Sequence, residues 1–316
     1  MNTDFFRKPP APLPPPPPSI DPGMLIVVLI WGINFVVVKS AFAEMPPLAF
    51  TALRFVITSA TFALLLISRG QMKTLPEGTL WRVIWLGLVG NTLYQGLFAL
   101  GLSMTTAANS SMLLTTTPAL LALVGGLLGI EQVTRRMWVG IALATTGIAL
   151  VMTARGASLS VSTLRGDLLT LASVLCWVAY ALGVRTVSRQ ISSLQLTAMS
   201  MLAGTPGLVL LGAPGLLQVK WTEISVAAWL GLAYSALLSL VVAYLLYNRS
   251  IRRIGSVGTS IYGSAIPVIT ALLAWPILGE RPTLLQGMGA ALIIAGVLAA
   301  RQREAVTADE TASAAA

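Results

Sequence analysis

Ten long apolar runs constrain this 316-residue chain more than any other feature of its sequence. A helix needs about 20 mostly apolar residues to cross a bilayer, and each run is near that length. The runs cover residues 24–42, 47–68, 80–101, 106–128, 136–153, 166–187, 193–212, 225–247, 256–278 and 284–300. They predict an all-α membrane protein with ten transmembrane helices.

Charge and composition exclude several classes of protein. Only 10% of the residues are charged, against about 25% in soluble globular chains. The net charge of +9 would suit nucleic acid, but the basic residues lie mainly between apolar runs, as loop charges of membrane proteins do. These numbers argue against a soluble enzyme, a disordered protein and a nucleic-acid binder.

The inventory of reactive residues is equally restrictive. The chain has no histidine, one cysteine (Cys176) and neither a GxxxxGK[ST] nor an HExxH pattern. Disulfides within the chain, histidine metal sites and histidine-based catalytic triads are therefore excluded. We expect no catalytic residue, no metal and no cofactor.

The distribution of Lys and Arg predicts the topology. With the N-terminus inside, 14 basic residues fall in inner segments and 5 in outer ones, while Arg54 lies within a run. Cytoplasmic loops carry this excess, so both termini should be cytoplasmic and the protein should be a multi-pass inner-membrane protein. Residues 1–23, with prolines from Pro14 to Pro18, and residues 301–316 should be loose cytoplasmic tails.

The two halves of the chain repeat one another. At an offset of 149 residues, Pro118 matches Pro267 and Glu131 matches Glu280. At an offset of 146 residues, Trp31 matches Trp177. Each half, 24–154 and 166–300, holds five runs, and an odd number turns the second half upside down. Inverted repeats of this kind are typical of secondary transporters.

The closing motifs of each half carry a family resemblance. They are TPALLALVGGLLGIEQVT with GIALATTGIALVM, and IPVITALLAWPILGERPT with GMGAALIIAGVLAA. The chain resembles the EamA family of the drug/metabolite transporter superfamily over residues 24–300. Within that superfamily it is most similar to the YddG-type exporters of aromatic amino acids. The resemblance implies alternating access by the two halves and export from the cytoplasm.

Polar and aromatic residues inside the runs predict the substrate path, because polar groups facing lipid are costly. Trp31 and Asn34 share a helix face, and Trp177 and Tyr180 repeat their spacing. The predicted substrate-binding residues are Trp31, Asn34, Asn91, Tyr94, Gln95, Trp177, Tyr180, Tyr234, Tyr262 and Trp275. The alternative is that such residues only join helices within the bundle.

Residues near the run ends and at the repeated prolines have other interpretations. Pro118 and Pro267 each remove a backbone donor, which predicts either a moving hinge or a static kink. The seven-residue spacing of Gly140 with Gly147, and of Gly289 with Gly296, predicts tight helix contacts. Six aromatic residues near run ends should anchor at the interface: Trp81, Trp85, Trp138, Trp221, Trp229 and Tyr247.

Charged groups bear on the mechanism. Arg54 can attract a substrate carboxylate, or it can bind helix carbonyls as a structural residue. No Asp or Glu lies in the middle of a run, so no proton relay is evident, and Glu131 and Glu280 at run ends are the nearest exceptions.

We therefore expect a monomeric carrier that exports small metabolites, most simply aromatic or other neutral amino acids, by alternating access. Its partners would be that small-molecule substrate and the lipid bilayer. The alternative within the same superfamily is an exporter of drugs or other metabolites, with or without coupling to protons. An intramembrane enzyme would need a reactive group with a base at depth, and a channel would not need paired repeats.

Overall fold

The computed structural model describes residues 21–71, 75–76, 78–128, 135–153, 161–188 and 190–300. Regular structure in these ranges is helical, and no strand occurs in them. The first half contains α1 (Pro22–Ala41), α2 (Pro47–Ser68), α3 (Thr79–Gly87), α4 (Tyr94–Met104), α5 (Ala107–Leu114), α6 (Thr117–Leu127) and α7 (Arg135–Thr153). The second contains α8 (Val161–Val187), α9 (Ser193–Leu216), α10 (Val226–Tyr234), α11 (Ala243–Tyr262), α12 (Ile266–Leu278) and α13 (Leu284–Ala300).

Two π-helical segments interrupt these helices. The first, Leu88–Leu93, joins α3 to α4, and the second, Ser235–Val242, joins α10 to α11. Each lies in the third helical rod of its half. A π-helical turn widens the backbone spiral by one residue and is frequently found at functional sites. The sequence pattern gave no prediction of either segment.

Several helices have the length and composition of membrane spans. Seven stretches in the described ranges qualify: Pro22–Ala41, Pro47–Ser68, Thr79–Met104, Ala107–Leu127, Thr163–Val187, Ser193–Leu216 and Val226–Ile254. Shorter apolar helices cover Trp138–Gly147, Gly263–Leu278 and Leu284–Gly296. Large apolar side chains also remain exposed on the outside, such as Leu64, Leu127 and Leu210. The predicted class, an all-helical membrane protein, is confirmed.

The turn between the eighth and ninth predicted runs has helical backbone. The sequence placed a break between residues 247 and 256, whereas α11 continues through it to Tyr262. The Thr259 hydroxyl nevertheless donates to Ser250 Oγ at 3.2 Å. Nine residues of straight helix would separate them by about 13.5 Å along the axis. The helical chain therefore folds back sharply between these two residues, near exposed Arg252 and Arg253.

Side-chain caps fix where several helices begin. Thr106, Ser192 and Ser225 each accept a backbone N–H three residues later, at the starts of α5, α9 and α10. Such caps satisfy donors that the first helical turn leaves unpaired. Glu44 accepts bonds from the Ser225 amide at 2.6 Å and hydroxyl at 2.8 Å. These bonds lower the pKa of the Glu44 carboxyl and tie the α1–α2 loop to α10.

Close packing between glycines brings the outer helices together. A Cβ at Gly147 would lie 2.6 Å from the carbonyl oxygen of Gly289, so α7 and α13 approach backbone to backbone. The predicted tight contact is confirmed at this pair. Inside, α1 contacts α10, α11 and α12, while α8 packs on α4 and α2 on α9. The first helix therefore packs mainly against helices of the second half.

Candidate functional site

A cavity lies among α1, α2, α4, α8 and α11. Its volume is about 70 Å³, well below the 300–1,000 Å³ of typical small-molecule sites. Side chains must therefore move apart before a molecule of that size can enter. Lining residues that bear on its chemistry are Trp31, Asn34, Phe35, Arg54, Tyr94, Gln95, Phe98, Trp177, Ser239, Tyr244 and Tyr247.

Aromatic rings form one wall of this cavity. Trp31 on α1 meets Trp177 on α8 edge to face, with ring centroids 5.8 Å apart. Tyr94 lies 4.9 Å from the Trp177 ring, and Tyr247 lies 5.2 Å from Trp31 and 5.1 Å from Trp177. Such ring pairs favour edge-to-face and offset geometries, and they offer a planar ligand several faces to contact.

A connected network of polar side chains lines another part of the same cavity. The Arg54 guanidinium donates to Ser235 Oγ at 2.8 Å and to Gln95 Oε1. Gln95 Nε2 in turn donates to the Tyr244 hydroxyl at 2.9 Å. Arg54 is only 1% exposed. The network joins α2, α4 and α11, and it includes a cation in a largely apolar surround.

Some buried polar atoms at and near the cavity have no partner. Asn34 Oδ1, Arg54 Nε and both side-chain amide atoms of Asn91 make no hydrogen bond. Trp31 Nε1 is satisfied, because it donates to the Ser239 carbonyl oxygen in the second π-helical segment at 3.1 Å. Unsatisfied buried polar groups are costly, so they mark places where a ligand or water would be stabilised.

Five of the ten predicted binding residues line the cavity. They are Trp31, Asn34, Tyr94, Gln95 and Trp177. Tyr180 stands behind them, stacked on Trp177 at 5.2 Å and accepting a bond from Asn248 Nδ2 at 2.9 Å.

The other four predicted residues lie away from the lining. Asn91 is buried in the first π-helical segment. The Tyr234 hydroxyl donates to the Ile30 carbonyl at 3.0 Å, and the Tyr262 hydroxyl accepts from the Asp21 amide. Trp275 is 55% exposed on the outside of α12. Spacing along a run does not reveal which buried or exposed face of a helix meets the cavity.

Sequence reasoning missed four aromatic residues that line the cavity: Phe35, Phe98, Tyr244 and Tyr247. Tyr247 was predicted to anchor at the interface, and this prediction is wrong, because it is 2% exposed and lines the cavity. Its spacing from Tyr244 repeats that of Trp31 with Asn34, a signal that could have identified both. Of the other predicted anchors, Trp81, Trp138, Trp221 and Trp229 are exposed.

The repeated prolines occupy equivalent positions in their helices. Pro118 lies in the first turn of α6, after a turn that ends α5, and Pro267 lies in the first turn of α12, after a 3₁₀ turn. A first turn tolerates proline, because its N–H groups have no intrahelical partner. Each proline therefore follows a break in the helix. A hinge would need such a break, and motion at these points remains a prediction.

Ionic groups lie where α1 begins, at one end of the cavity. Asp21 accepts a bond from the Gly23 amide at 2.9 Å and from the Ser250 hydroxyl at 3.3 Å. Arg253 Nη1 lies 3.8 Å from the same carboxylate. These contacts hold the start of α1 against the turn within α11.

A second polar cluster lies where α1 ends. Lys39 Nζ donates to the carbonyl oxygens of Leu102 at 2.7 Å and Thr105 at 2.5 Å. The Thr105 hydroxyl donates to Asp167 Oδ1 at 2.5 Å, and Asp167 is 1% exposed. The sequence placed this acid at a run end. It is in fact fully buried, near the start of α8.

Glu280 joins the two halves beside this cluster. Gly279, at φ +68°, ends α12 and turns the chain, which glycine does without steric cost. The Glu280 carboxylate then accepts bonds from the Ala107 and Ala108 amides at 2.9 and 3.2 Å. It therefore caps α5 of the other half. Glu131, its counterpart in the repeat, lies outside the described residues.

Comparisons with known proteins agree with this picture. The profile of the EamA-like transporter family matches residues 19–153 and again 164–301. An uncharacterized transporter, YyaM, of Bacillus subtilis is 28% identical over 85% of this chain and 89% of its own. An uncharacterized transporter of Archaeoglobus fulgidus is 28% identical over 87% of this chain and 94% of its own. The predicted family resemblance is confirmed.

Two further matches add detail. A probable amino-acid metabolite efflux pump of Salmonella typhimurium is 30% identical over 48% of this chain and 49% of its own. A solved structure has a TM-score of 0.62, at 20% identity, over 92% of this chain and 97% of that chain. The latter likeness shows the fold alone.

Proposed function

This chain belongs to the EamA-like transporter family, and from that premise we propose that it exports small amphipathic metabolites, with aromatic and other neutral amino acids as the first class. The observation that carries the proposal is the cavity. Trp31, Tyr94, Trp177 and Tyr247 present ring faces to a planar side chain, while Gln95 and its neighbours present amide, hydroxyl and guanidinium groups. An amphipathic metabolite needs both kinds of contact.

The proposed architecture has ten spans in two inverted halves, 24–154 and 166–300, with cytoplasmic tails at 1–23 and 301–316. The charge distribution of the loops supports it, as does the equivalent placement of the π-helical segments and of Pro118 and Pro267. The protein would act as a monomer in the inner membrane, because each pathway of this type lies between the two halves of one chain.

The proposed mechanism is alternating access. Polar contacts flank the cavity at both ends of α1, at Asp21 and at Lys39, and the cavity between them is too small for a metabolite. In each half of the cycle, one set of contacts would open while the other stays closed. Pro118 and Pro267 would serve as the hinges. Binding would be weak, because a carrier must release its cargo.

A second candidate is an exporter of drugs or other metabolites with proton coupling. The buried carboxylate of Asp167 is the observation that favours it, because an enclosed acid can carry a proton. The acid lies near the start of α8 and outside the cavity lining, however. We therefore rank a carrier without a proton relay first.

Reconstituted protein tests the proposal. Proteoliposomes preloaded with labelled phenylalanine, tryptophan, leucine, a sugar or a quaternary ammonium drug should release the aromatic amino acids fastest. Protein-free liposomes give the background rate. Rapid release of the drug or the sugar without the amino acids would contradict the proposed class. In cells, overproduction should raise tolerance to a toxic fluorinated phenylalanine.

A further inference from the structure

Arg54 is a buried cation that forms no ion pair with any residue in the described ranges. It lies in the middle of α2, 1% exposed, and it lines the cavity. Within the described part of the chain, its hydrogen bonds go to neutral oxygens, those of Ser235 and Gln95. Its nearest ring is Phe55, with the guanidinium carbon 5.9 Å from the centroid. A buried charge without a partner is strongly unfavourable, so a counter-charge must come from elsewhere.

The hydrogen bonds around Arg54 leave donors in excess. A guanidinium has five N–H groups, and Arg54 Nε makes no bond. Gln95 is already committed, because its Oε1 accepts from Arg54 and its Nε2 donates to Tyr244. The Tyr244 hydroxyl accepts that bond, so its own hydrogen remains available to donate. A group that accepts several hydrogen bonds and carries negative charge fits this end of the cavity.

The rest of the lining offers no opposite charge. Neither Asp nor Glu contributes to the cavity among the residues described. Asp21, at the start of α1, is already bonded to Gly23 and Ser250. Arg54 is thus the sole ionised lining residue in those ranges. A zwitterion would leave the filled cavity with one net positive charge, whereas a monocarboxylate would make it neutral.

From these observations we propose that the cavity selects aromatic monocarboxylates through an ion pair with Arg54 and does not require an α-amino group. This rests on the proposed function, since it names the wider class to which aromatic amino acids belong. The aromatic wall contacts the ring and Arg54 with Tyr244 binds the carboxylate. The free Oδ1 of Asn34 accepts a neutral donor, such as an indole N–H or a hydroxyl.

A ligand series on the unmodified protein tests this directly. Purified full-length protein in nanodiscs is titrated with phenylalanine, phenylpropionate, phenethylamine and phenethyl alcohol, with binding read from tryptophan fluorescence. Phenylpropionate lacks the amino group and phenethylamine lacks the carboxylate. We expect phenylpropionate to bind at least as tightly as phenylalanine. Phenethylamine should bind roughly tenfold to a hundredfold more weakly than phenylpropionate, which is the range expected when a hydrogen-bonded charge is lost.

Variants then assign the effect to Arg54. Arg54→Gln should lose tenfold or more in phenylpropionate affinity, and Arg54→Lys should recover part of it, because lysine restores the charge without the fork. Affinity for uncharged phenethyl alcohol should fall much less than affinity for phenylpropionate in Arg54→Gln, because a hydroxyl forms no ion pair, and this smaller loss reports that the pocket is still formed. Arg69→Gln makes the same change at the exposed end of the same helix, and it should leave all affinities unaltered.

The outcomes separate the two proposals. If phenylalanine binds and phenylpropionate does not, this inference is overturned and the proposed amino-acid export still stands. If phenylpropionate is bound and transported and no amino acid is, the inference is supported and amino-acid export is overturned. Tight binding of phenethylamine, or an Arg54→Gln variant that still binds phenylpropionate normally, would show that Arg54 does not select the ligand.

Discussion

The indole rings of Trp31 and Trp177 meet edge to face with centroids 5.8 Å apart and planes inclined at 79°. The two residues occupy matching places in the two halves of the sequence, 146 residues apart. The repeat therefore converges on one contact, between α1 and α8, at the wall of the cavity. Each ring also touches Tyr244 and Tyr247. A change at either indole should alter what the cavity binds.

The first prediction concerns this contact. Trp177→Leu removes the ring that Trp177 offers to an aromatic cargo but keeps an apolar side chain, and an aromatic pair contributes about 0.5–1.5 kcal/mol. Affinity for an aromatic cargo should fall about tenfold. Isothermal titration calorimetry or transport flux measures this loss without relying on tryptophan fluorescence. Trp221→Leu makes the same change at a residue that is 46% exposed, in the 3₁₀ turn before α10, and it should have no effect. Equal losses in both variants would argue against a binding role.

The second prediction concerns the fit of Tyr180 behind the wall. A Cβ at Gly90 would lie 2.1 Å from Tyr180 Cδ2, so Gly90→Ala should force the ring to move. Overpacking of this kind destabilises by about 1–3 kcal/mol. At Gly96, further along the same rod, the nearest atom to an added Cβ is Leu211 Cδ1 at 3.6 Å, so Gly96→Ala should be tolerated. Thermal unfolding in detergent should rank Gly90→Ala clearly below Gly96→Ala.

How far the sequence anticipated this site depends on the kind of signal. Repeat matching and polar residues within apolar runs correctly drew attention to Trp31 and Trp177. Tyr247 was misjudged, because a tyrosine near a run end is typical of the membrane interface, and only the packing of α11 turns it inward. Trp275 lies deep within a run, which suggested a place in the site, but depth does not show which face of the helix a residue occupies. The helical rods themselves follow directly from hydropathy.

The partners of Arg54 could not be inferred from the chain alone. Ser235 and Gln95 lie 181 and 41 residues from Arg54, and their approach depends on how α2 packs on α4 and on the second π-helical segment. The same holds for Glu280, whose bonds to α5 span 173 and 172 residues. Local pattern specifies the helical elements. Contacts between elements of different halves arise only from tertiary packing.

The third prediction concerns Glu280. Glu280→Ala removes the acceptor for two amides at the start of α5 and should destabilise the protein by about 1–2 kcal/mol, as loss of a helix cap does. Glu280→Gln retains one carbonyl oxygen and should cost less. Glu223→Ala is the control, because Glu223 pairs with Lys220 in an exposed position and such pairs contribute little. If Glu280→Ala melts like the control, the cap is not a stabilising contact.

The fourth prediction concerns topology. Cysteines introduced by Lys220→Cys and Arg252→Cys, in a Cys176→Ala background, occupy exposed positions. The excess of basic residues in inner loops places Arg252 in the cytoplasm and Lys220 outside. An impermeant maleimide added to intact cells should label the cysteine at position 220 and not the one at 252, while permeabilised cells show both. The reverse pattern would invert the proposed orientation.

The last prediction concerns energy coupling. No acid lines the cavity in the described ranges, and the one fully buried carboxylate, Asp167, lies near the start of α8. Without an acid that meets the cargo, a proton gradient has no group through which to act. With equal cargo on both sides, a pH gradient across proteoliposomes should cause no net accumulation, and Asp167→Asn should leave exchange at the same rate. Uphill accumulation that a protonophore abolishes would contradict uniport. If Asp167→Asn then lost the accumulation but kept exchange, the proton carrier would be Asp167, and an unchanged response would direct attention to Glu280 and Glu131.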